Sequence, residues 1–262
     1  MGYQVYDKQR NQVLRNTILN DMYHIIGQSV TRGWYAFKGG YILGKAVNGV
    51  RHTTDLDVTI LNSETFELAT HPLVEYLDRL VQIGAIWNYT IKMPVVTEDR
   101  NMSGGIKVYI KSDANTPKRV LCGIDMSIHP LGEGVELSAE GYCQYSKELM
   151  LADKVSALYN TEKSVLRRIR DILDIYLILL ISDRNLNKKL ILERLKGRGT
   201  NIQKYSTLEK MFYSESKIIY QTLLGCISDG ERMDQNFIQC SNVTPKVILD
   251  KVFLFLSKLR ED

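Results

Sequence analysis

The fold of this chain is decided by residues 37–43, FKGGYIL, together with residues 51–60, RHTTDLDVTI. The first stretch predicts a short strand that turns at Gly39-Gly40 into a helix, because glycine permits the backbone conformations that a tight turn requires. The second predicts a strand on which Asp55 and Asp57 share one face, since successive side chains alternate between faces. A glycine turn and a helix therefore stand beside a strand that carries two neighbouring carboxylates.

These residue types indicate a particular chemistry. Two carboxylates on one face repel each other, and a divalent cation offsets that repulsion. Mg²⁺ prefers oxygen ligands and commonly binds one or two carboxylates together with water and substrate phosphates. The N–H groups of a glycine turn at a helix N-terminus can approach a phosphate closely. Asp55, Asp57 and the Gly39-Gly40 turn therefore indicate a nucleotidyltransferase that uses a nucleoside triphosphate and Mg²⁺, with Mn²⁺ as an alternative metal.

Hydrophobic periodicity divides the chain into two parts. In the first part, helices are predicted at 10–30, 41–47 and 64–83, the last ended by Gly84, and strands at 34–37, 55–61, 86–95, 106–111 and 120–128. After a connection at 130–146, the predicted elements are all helices, at 146–160, 164–182, 187–197, 206–225 and 244–259. The predicted fold class is α+β, with an α/β domain and its mixed sheet at 1–145 and a helical bundle domain at 146–262.

Charge is divided unevenly between these two domains. Residues 1–145 contain 14 Lys and Arg against 15 Asp and Glu, a net charge of −1, whereas residues 146–262 contain 20 against 15, a net charge of +5. A mildly basic second domain suits a polyanionic partner such as RNA. A lysine-rich, solvated helical surface explains the same excess equally well.

Other classes of protein are disfavoured by the sequence. No apolar run reaches the ~20 residues that a membrane helix needs, and the N-terminus lacks the apolar segment of a signal peptide. The four cysteines show neither C-x-x-C pairing nor a zinc-like spacing with histidine. We therefore expect a cytoplasmic protein with reduced cysteines and no membrane partner.

The ordered set of motifs resembles the AbiEii-type nucleotidyltransferases, the toxins of abortive-infection toxin–antitoxin pairs within the DNA polymerase β-like superfamily. The resemblance is carried by the glycine pair, the R-x-T-x-D-L-D box at 51–57, and two helical motifs at 149–158 and 167–176. It implies a polymerase β-like nucleotidyltransferase domain followed by a helical domain. Residues after 185 match no motif of the family.

The resemblance implies a third acid on the last strand of the sheet. Asp125 lies in the apolar segment 124–128, IDMSI, where an unpaired charge would be costly. It would share the metal with Asp55 and Asp57 and help to deprotonate the attacking hydroxyl. The competing interpretation is a strand-edge aspartate that is paired with an arginine or satisfied by a turn.

The two helical motifs would supply Lys154 and Asp171 to the catalytic cleft. Lys154 would reach the triphosphate as a point charge on a long stem and would not serve the core. Asp171 would be the functional acid, with Asp174 as its orienter. Arg167, Arg170 and these two acids recur at spacings of three and four, which predicts one polar face of a helix. The same spacing also fits a solvated surface whose charges pair with each other.

Residues near the glycine turn complete the predicted site. Lys38 would meet a phosphate, and Arg51 would anchor the loop before the two acids. The full predicted nucleotide-binding set is Lys38, Gly39, Gly40, Arg51, Thr53 and Lys154.

The predicted function is toxin-like transfer of a nucleoside monophosphate from a triphosphate to an acceptor hydroxyl, with release of pyrophosphate. The resemblance implies tRNA or another RNA as the acceptor. It also implies a winged-helix antitoxin that forms no stable complex with the enzyme. One alternative is a small-molecule nucleotidyltransferase of the aminoglycoside-modifying type. The other is a non-catalytic nucleotide- or RNA-binding module, against which the intact Asp55, Asp57 and Lys154 argue.

Overall fold

The structure, a computed structural model, describes residues 2–28, 35–47, 53–60, 66–92, 95–96, 102–103, 105–111, 120–128, 133–161, 165–182, 186–228 and 243–260. The predicted nucleotide-binding residue Arg51 lies outside these ranges. The chain divides into two compact units. The first unit comprises Met1–Tyr41 and Thr53–Gln144, and the second comprises Ile42–His52 and Tyr145–Asp262. Residues 42–52 thus group with the helical unit, whereas the sequence places them in the first domain.

A seven-stranded mixed sheet, with strand order β3-β6-β7-β2-β1-β9-β8, confirms the predicted α+β class. Its strands are β1 (Tyr35–Lys38), β2 (Asp55–Ile60), β3 (Asn88–Lys92), β6 (Gly105–Lys111), β7 (Cys122–Ile128), β8 (Val135–Leu137) and β9 (Cys143–Tyr145). Strands β2 and β7 are parallel, and β6 runs antiparallel to β7. The short strands β4 (Val95–Val96) and β5 (Met102–Ser103) form a separate antiparallel pair.

One face of the sheet is apolar and is covered by helices. The side chains of Leu56, Val58 and Ile60 point to this face from β2 and are fully buried. Helix α1 (Gly2–Gln28) packs on β2 and β7 and against α3 (Phe66–Gln82). The Tyr23 ring of α1 lies 4.5 Å from the Phe37 ring of β1, centroid to centroid. Because side chains alternate along a strand, the other face of the same strands carries the polar residues.

The second unit is helical. Its helices are α4 (Lys147–Tyr159), α5 (Ile169–Ile181), α6 (Lys188–Gly197), α7 (Tyr205–Ser228) and α8 (Pro245–Arg260), with short 3₁₀ turns at Val165–Arg168 and Ile202–Lys204. Ser146 caps α4 by accepting a hydrogen bond from the backbone N–H of Leu149. Helix α5 contains a run of buried residues from Ile172 to Ile178, so it forms the centre of this unit.

The element boundaries differ from the sequence predictions in two instructive places. Helix α2 (Gly39–Ala46) begins at the first glycine of the pair, two residues earlier than predicted. Strands β8 and β9 occupy a segment for which the sequence predicts a connection. The sequence does not predict these strands because each is three residues long and lacks an apolar run. Gly84 ends α3 as predicted: its φ is 68°, and Ala85 N–H donates to the Leu80 carbonyl at 2.9 Å.

None of the helices in the described ranges is both long enough and apolar enough to cross a membrane.

Candidate functional site

The three predicted acids lie on the polar face of the sheet, on its neighbouring strands β2 and β7. Asp57 is directly opposite Asp125 in the parallel β2–β7 ladder and directly opposite Lys38 in the antiparallel β1–β2 ladder. Asp55 stands opposite Gly123. Directly paired residues of neighbouring strands project from the same face of a sheet. The sheet thus arranges Lys38, Asp57 and Asp125 in one row across three strands, with Asp55 on the same face.

A lysine that the sequence analysis did not single out extends this row. Lys107 of β6 is the direct register partner of Asp125, and its Nζ lies 2.8 Å from Asp125 Oδ2. The hydrogen bond and the negative charge of Asp125 raise the pKa of Lys107. Among the described residues, Asp125 therefore pairs with a lysine, where the competing interpretation expected a turn or an arginine. The alternation in residues 106–111, IKVYIK, was the available signal, since it places Lys107 on the polar face.

The oxygen donors of Asp55 and Asp57 suit a magnesium ion, which commonly binds one or two carboxylates and takes its remaining ligands from water and phosphates. In the part of the chain that the structure describes, no three or more His, Cys, Asp or Glu side chains are grouped closely enough to hold a metal. Asp55, Asp57 and Asp125 are therefore not grouped closely enough to form one three-acid site, and a metal site on the two β2 carboxylates stays a prediction. Asp125, whose carboxylate pairs with Lys107, stays a predicted ligand.

The glycine turn lies against the carboxylate of Asp57. Gly39 has a φ of 72°, and a Cβ atom added there would lie 2.0 Å from Asp57 Oδ2. A side chain at this position would therefore be strained and would also displace the acid. Helix α2 begins at Gly39, and Gly40 is buried. The N-terminus of a helix is a place where backbone N–H groups and the helix dipole favour an anion, and here it stands beside the predicted metal ligand.

Gly39→Ala is expected to destabilise the protein more than Gly84→Ala does, and to reduce nucleotide transfer. Both glycines have a positive φ, 72° and 68°, so both variants carry the left-handed strain of about 1–2 kcal/mol. Of these two glycines, only Gly39 has a neighbour among the described residues, since none of them lies within 4 Å of a Cβ added at Gly84. Denaturant unfolding and a transfer assay on both variants measure the difference. Equal destabilisation with unchanged transfer would show that the approach of Gly39 to Asp57 is dispensable.

The remaining predicted residues of this region make local contacts. Lys38 Nζ donates to Ser127 Oγ at 2.6 Å across the polar face. Thr53 Oγ1 accepts a hydrogen bond from the Asp55 backbone N–H at 3.4 Å, so this threonine steadies the start of β2. Thr54 Oγ1 donates to Asp55 Oδ2 at 3.0 Å.

The second unit holds a cluster of buried charges on α4 and α5. Lys154 Nζ lies 3.0 Å from Asp171 Oδ1 and 2.8 Å from Asp174 Oδ2. Asp174 is fully buried, and the side chains of Lys154 and Asp171 are 22% and 13% exposed. Arg168 approaches the second oxygen of Asp171 at 3.5 Å. The structure thus brings together Lys154, Asp171 and Asp174, which the sequence placed in two separate motifs.

This cluster corrects two expectations about the helical motifs. Asp174 is fully buried while Arg170 is exposed, so the charged residues of α5 do not share one polar face. Lys154 was expected not to serve the core, yet it neutralises two acids there. Burial alone would lower the pKa of Lys154, but the charges of Asp174 and Asp171 outweigh burial and raise that pKa above its usual range. The raised pKa favours the protonated form of Lys154.

Comparison with known proteins identifies the family. The family model described as "Nucleotidyl transferase AbiEii toxin, Type IV TA system" matches residues 21–235. Two solved Helicobacter pylori structures, JHP933 and a protein named "putative nucleotidyltransferase", are each 16% identical to this chain with a TM-score of 0.49. Both alignments cover 95% of this chain, and they cover 95% and 97% of the respective neighbours. Comparison with curated proteins finds no significant relative. The chain belongs to the AbiEii family of nucleotidyltransferase toxins of type IV toxin–antitoxin systems.

Proposed function

We propose that this nucleotidyltransferase moves a nucleoside monophosphate from a nucleoside triphosphate to a hydroxyl of an RNA, with Mg²⁺ held by Asp55 and Asp57. The observation that carries the proposal is the contact between the Gly39 turn and the Asp57 carboxylate. An anion site at the start of α2 and a metal ligand on β2 then adjoin each other, which is what a metal-bound triphosphate requires.

Each residue of the first unit has a separate task in this proposal. The N–H groups at the start of α2 bind phosphate oxygens, and Lys38 adds a positive charge opposite Asp57. Lys38 already donates to Ser127, but an ammonium group has further N–H donors for a phosphate. When bound, Mg²⁺ neutralises the charge that develops on the phosphate oxygens. Asp125, next to Asp57 in the ladder, would share the metal and accept the proton of the attacking hydroxyl.

The second unit contributes Lys154 and Asp171 in this proposal, an assignment that rests on the family resemblance. Lys154 supplies a permanent positive charge for the triphosphate, in keeping with its raised pKa. Its ammonium group is held by two acids, so a triphosphate would share this charge with Asp171 and Asp174. The proposed partner in the cell is a winged-helix antitoxin that acts without a stable complex, and the proposed location is the cytoplasm.

An RNA acceptor is supported by the net charge of +5 on residues 146–262. The test incubates the protein with each α-labelled triphosphate, Mg²⁺ and total cellular RNA, and resolves the products on a denaturing gel. We expect label in an RNA band, with tRNA the first candidate, and no label when Asp55→Ala replaces the wild type. Label in a small hydroxylated compound, with every RNA unlabelled, would overturn the RNA assignment and leave the transfer chemistry in place.

A further inference from the structure

The polar face of the sheet extends beyond the predicted acids onto β6 and β3. Lys107, Tyr109 and Lys111 of β6 alternate with buried apolar residues and therefore project from the polar face. Directly opposite them on β3 stand Lys92, Thr90 and Asn88, in that order. Strand β3 is an edge strand of the sheet, and these three side chains are exposed. The part of the face farthest from β1 is thus basic and partly aromatic.

Two aromatic rings lie close to two lysines at this end of the sheet. Lys92 Nζ lies 5.5 Å from the centroid of the Tyr109 ring, and Lys111 Nζ lies 5.8 Å from the centroid of the Trp87 ring. Trp87, which directly precedes β3, is 41% exposed. Within the described part of the chain, neither of these ammonium groups pairs with a carboxylate. We call Trp87, Lys92, Tyr109 and Lys111 the ring–lysine platform.

The platform is connected to the predicted acids by the register of the sheet. Tyr109 is opposite Gly123, which is opposite Asp55, so the residue between the ring and the acid has no side chain. A Cβ at Gly123 would lie 2.5 Å from the Val108 carbonyl oxygen, so the close approach of β6 itself requires glycine there. Neighbouring strands are about 4.8 Å apart, which puts Tyr109 roughly 10 Å from the strand of Asp55. Among the described residues, no side chain therefore stands between Tyr109 and Asp55 in this row of the sheet.

We propose that the ring–lysine platform binds the single-stranded end of the acceptor RNA and delivers its terminal hydroxyl towards Asp55 and Asp57. Alternating rings and cations are the arrangement that binds single strands, because bases stack on the rings while phosphates meet the ammonium groups. The proposal rests on the proposed function, since it takes RNA as the acceptor. The triphosphate has its own site at the Gly39 turn, which lies toward the β1 end of the face.

Lys107 separates the two parts of the face. It stands between Lys92 and Asp125 in one continuous row across β3, β6 and β7, and its ammonium group is held by Asp125. Lys107 therefore neutralises Asp125, and we expect Lys92 and Lys111 to bind the RNA phosphates. A matched control is available in Arg79, an exposed residue of α3, the helix that packs with α1 beneath the apolar face.

The test measures binding of a labelled single-stranded RNA of about ten nucleotides and mixed sequence by fluorescence anisotropy. Trp87→Leu and Tyr109→Leu are each expected to weaken RNA binding by about 5- to 100-fold. Trp87→Phe and Tyr109→Phe keep an aromatic ring and are expected to retain most of the RNA affinity. Lys92→Gln and Lys111→Gln should each reduce the slope of log K against log salt by about 0.7. Arg79→Gln should leave affinity and slope unchanged, and all platform variants should bind triphosphate as the wild type does.

The outcomes separate this proposal from the proposed function. If the Leu and Gln variants bind RNA like the wild type while the wild type still labels RNA, the platform is wrong and the transfer reaction stands. If RNA binding depends on the platform but no triphosphate labels RNA, the platform stands and the proposed reaction is wrong. A loss of triphosphate affinity in Lys92→Gln or Lys111→Gln would show that these lysines bind the triphosphate. It would contradict the proposal that they bind the acceptor RNA. A matched loss with Arg79→Gln would show only general electrostatic attraction and would also overturn it.

Discussion

Replacement of Asp57 by asparagine is expected to lower nucleotide transfer by at least roughly a hundredfold, because the charge that holds Mg²⁺ beside the phosphate is lost. Asparagine has the same size as aspartate, so the contact with Gly39 and the β2–β7 ladder are kept. The neighbouring acids Asp55 and Asp125 lose a repulsive partner, so stability should fall by no more than about 1 kcal/mol. Initial rates at saturating triphosphate, together with denaturant unfolding, measure both effects.

Asp78→Asn is the matched control for this variant. Asp78 is exposed on α3 and accepts a hydrogen bond from the Tyr89 hydroxyl at 2.7 Å, a role that the oxygen of asparagine can also fill. We expect wild-type rates from it. Undiminished transfer by Asp57→Asn with Mg²⁺ present would contradict a metal site formed by Asp55 and Asp57.

Lys154→Met is expected to destabilise the protein by about 3–5 kcal/mol, because it removes the cation from two acids in the interior of the second unit. Asp174 is fully buried, and Lys154 lies within 3.0 Å of both Asp174 and Asp171. Methionine keeps most of the volume of the lysine side chain, so the loss of stability arises from the missing charge and not from a cavity. Urea unfolding at neutral pH measures it.

The dependence of this loss on pH provides a second readout. A buried carboxyl that loses its cation favours its neutral form, so the variant is stabilised by protonation and should lose stability as pH rises through the acid range. Its deficit relative to wild type should therefore shrink as pH is lowered. Lys189→Met, which removes an exposed partner 3.8 Å from Glu193, should cost less than about 1 kcal/mol. A comparably small cost for Lys154→Met would contradict the structural role assigned to Lys154.

The sequence predicts the parts of the site that depend on local pattern. The turn at Gly39-Gly40 and the shared face of Asp55 and Asp57 follow from glycine conformation and from strand alternation, and both are present in the structure. The register that puts Asp125 beside Asp57 does not follow from either rule. Strands β2 and β7 are far apart in the sequence, and the packing of the whole sheet determines how they align. For Asp125, the family resemblance implied a third acid on this strand, and its role in the site stays a prediction.

The pairing of charges could not be predicted in the same way. Lys107 and Asp125 are 18 residues apart, and Lys154 and Asp171 are 17 residues apart. Each pair depends on how two elements align, and a lysine on an amphipathic element is ordinarily solvated. The burial of Asp174 has the same origin: its spacing from Asp171 suggests an exposed face, but the packing around α5 encloses it.

In the proposed reaction, the α-phosphoryl group of a triphosphate passes, with its nucleoside, to an acceptor hydroxyl, and pyrophosphate leaves. The most direct measurement follows triphosphates labelled at either the α- or the γ-phosphate, in parallel reactions with Mg²⁺ and RNA. We predict that α-label enters the RNA, that γ-label appears only in pyrophosphate, and that both changes stop in Asp57→Asn. Transfer of γ-label to the acceptor, or its release as inorganic phosphate without α-label incorporation, would contradict nucleotidyl transfer and the site described for it.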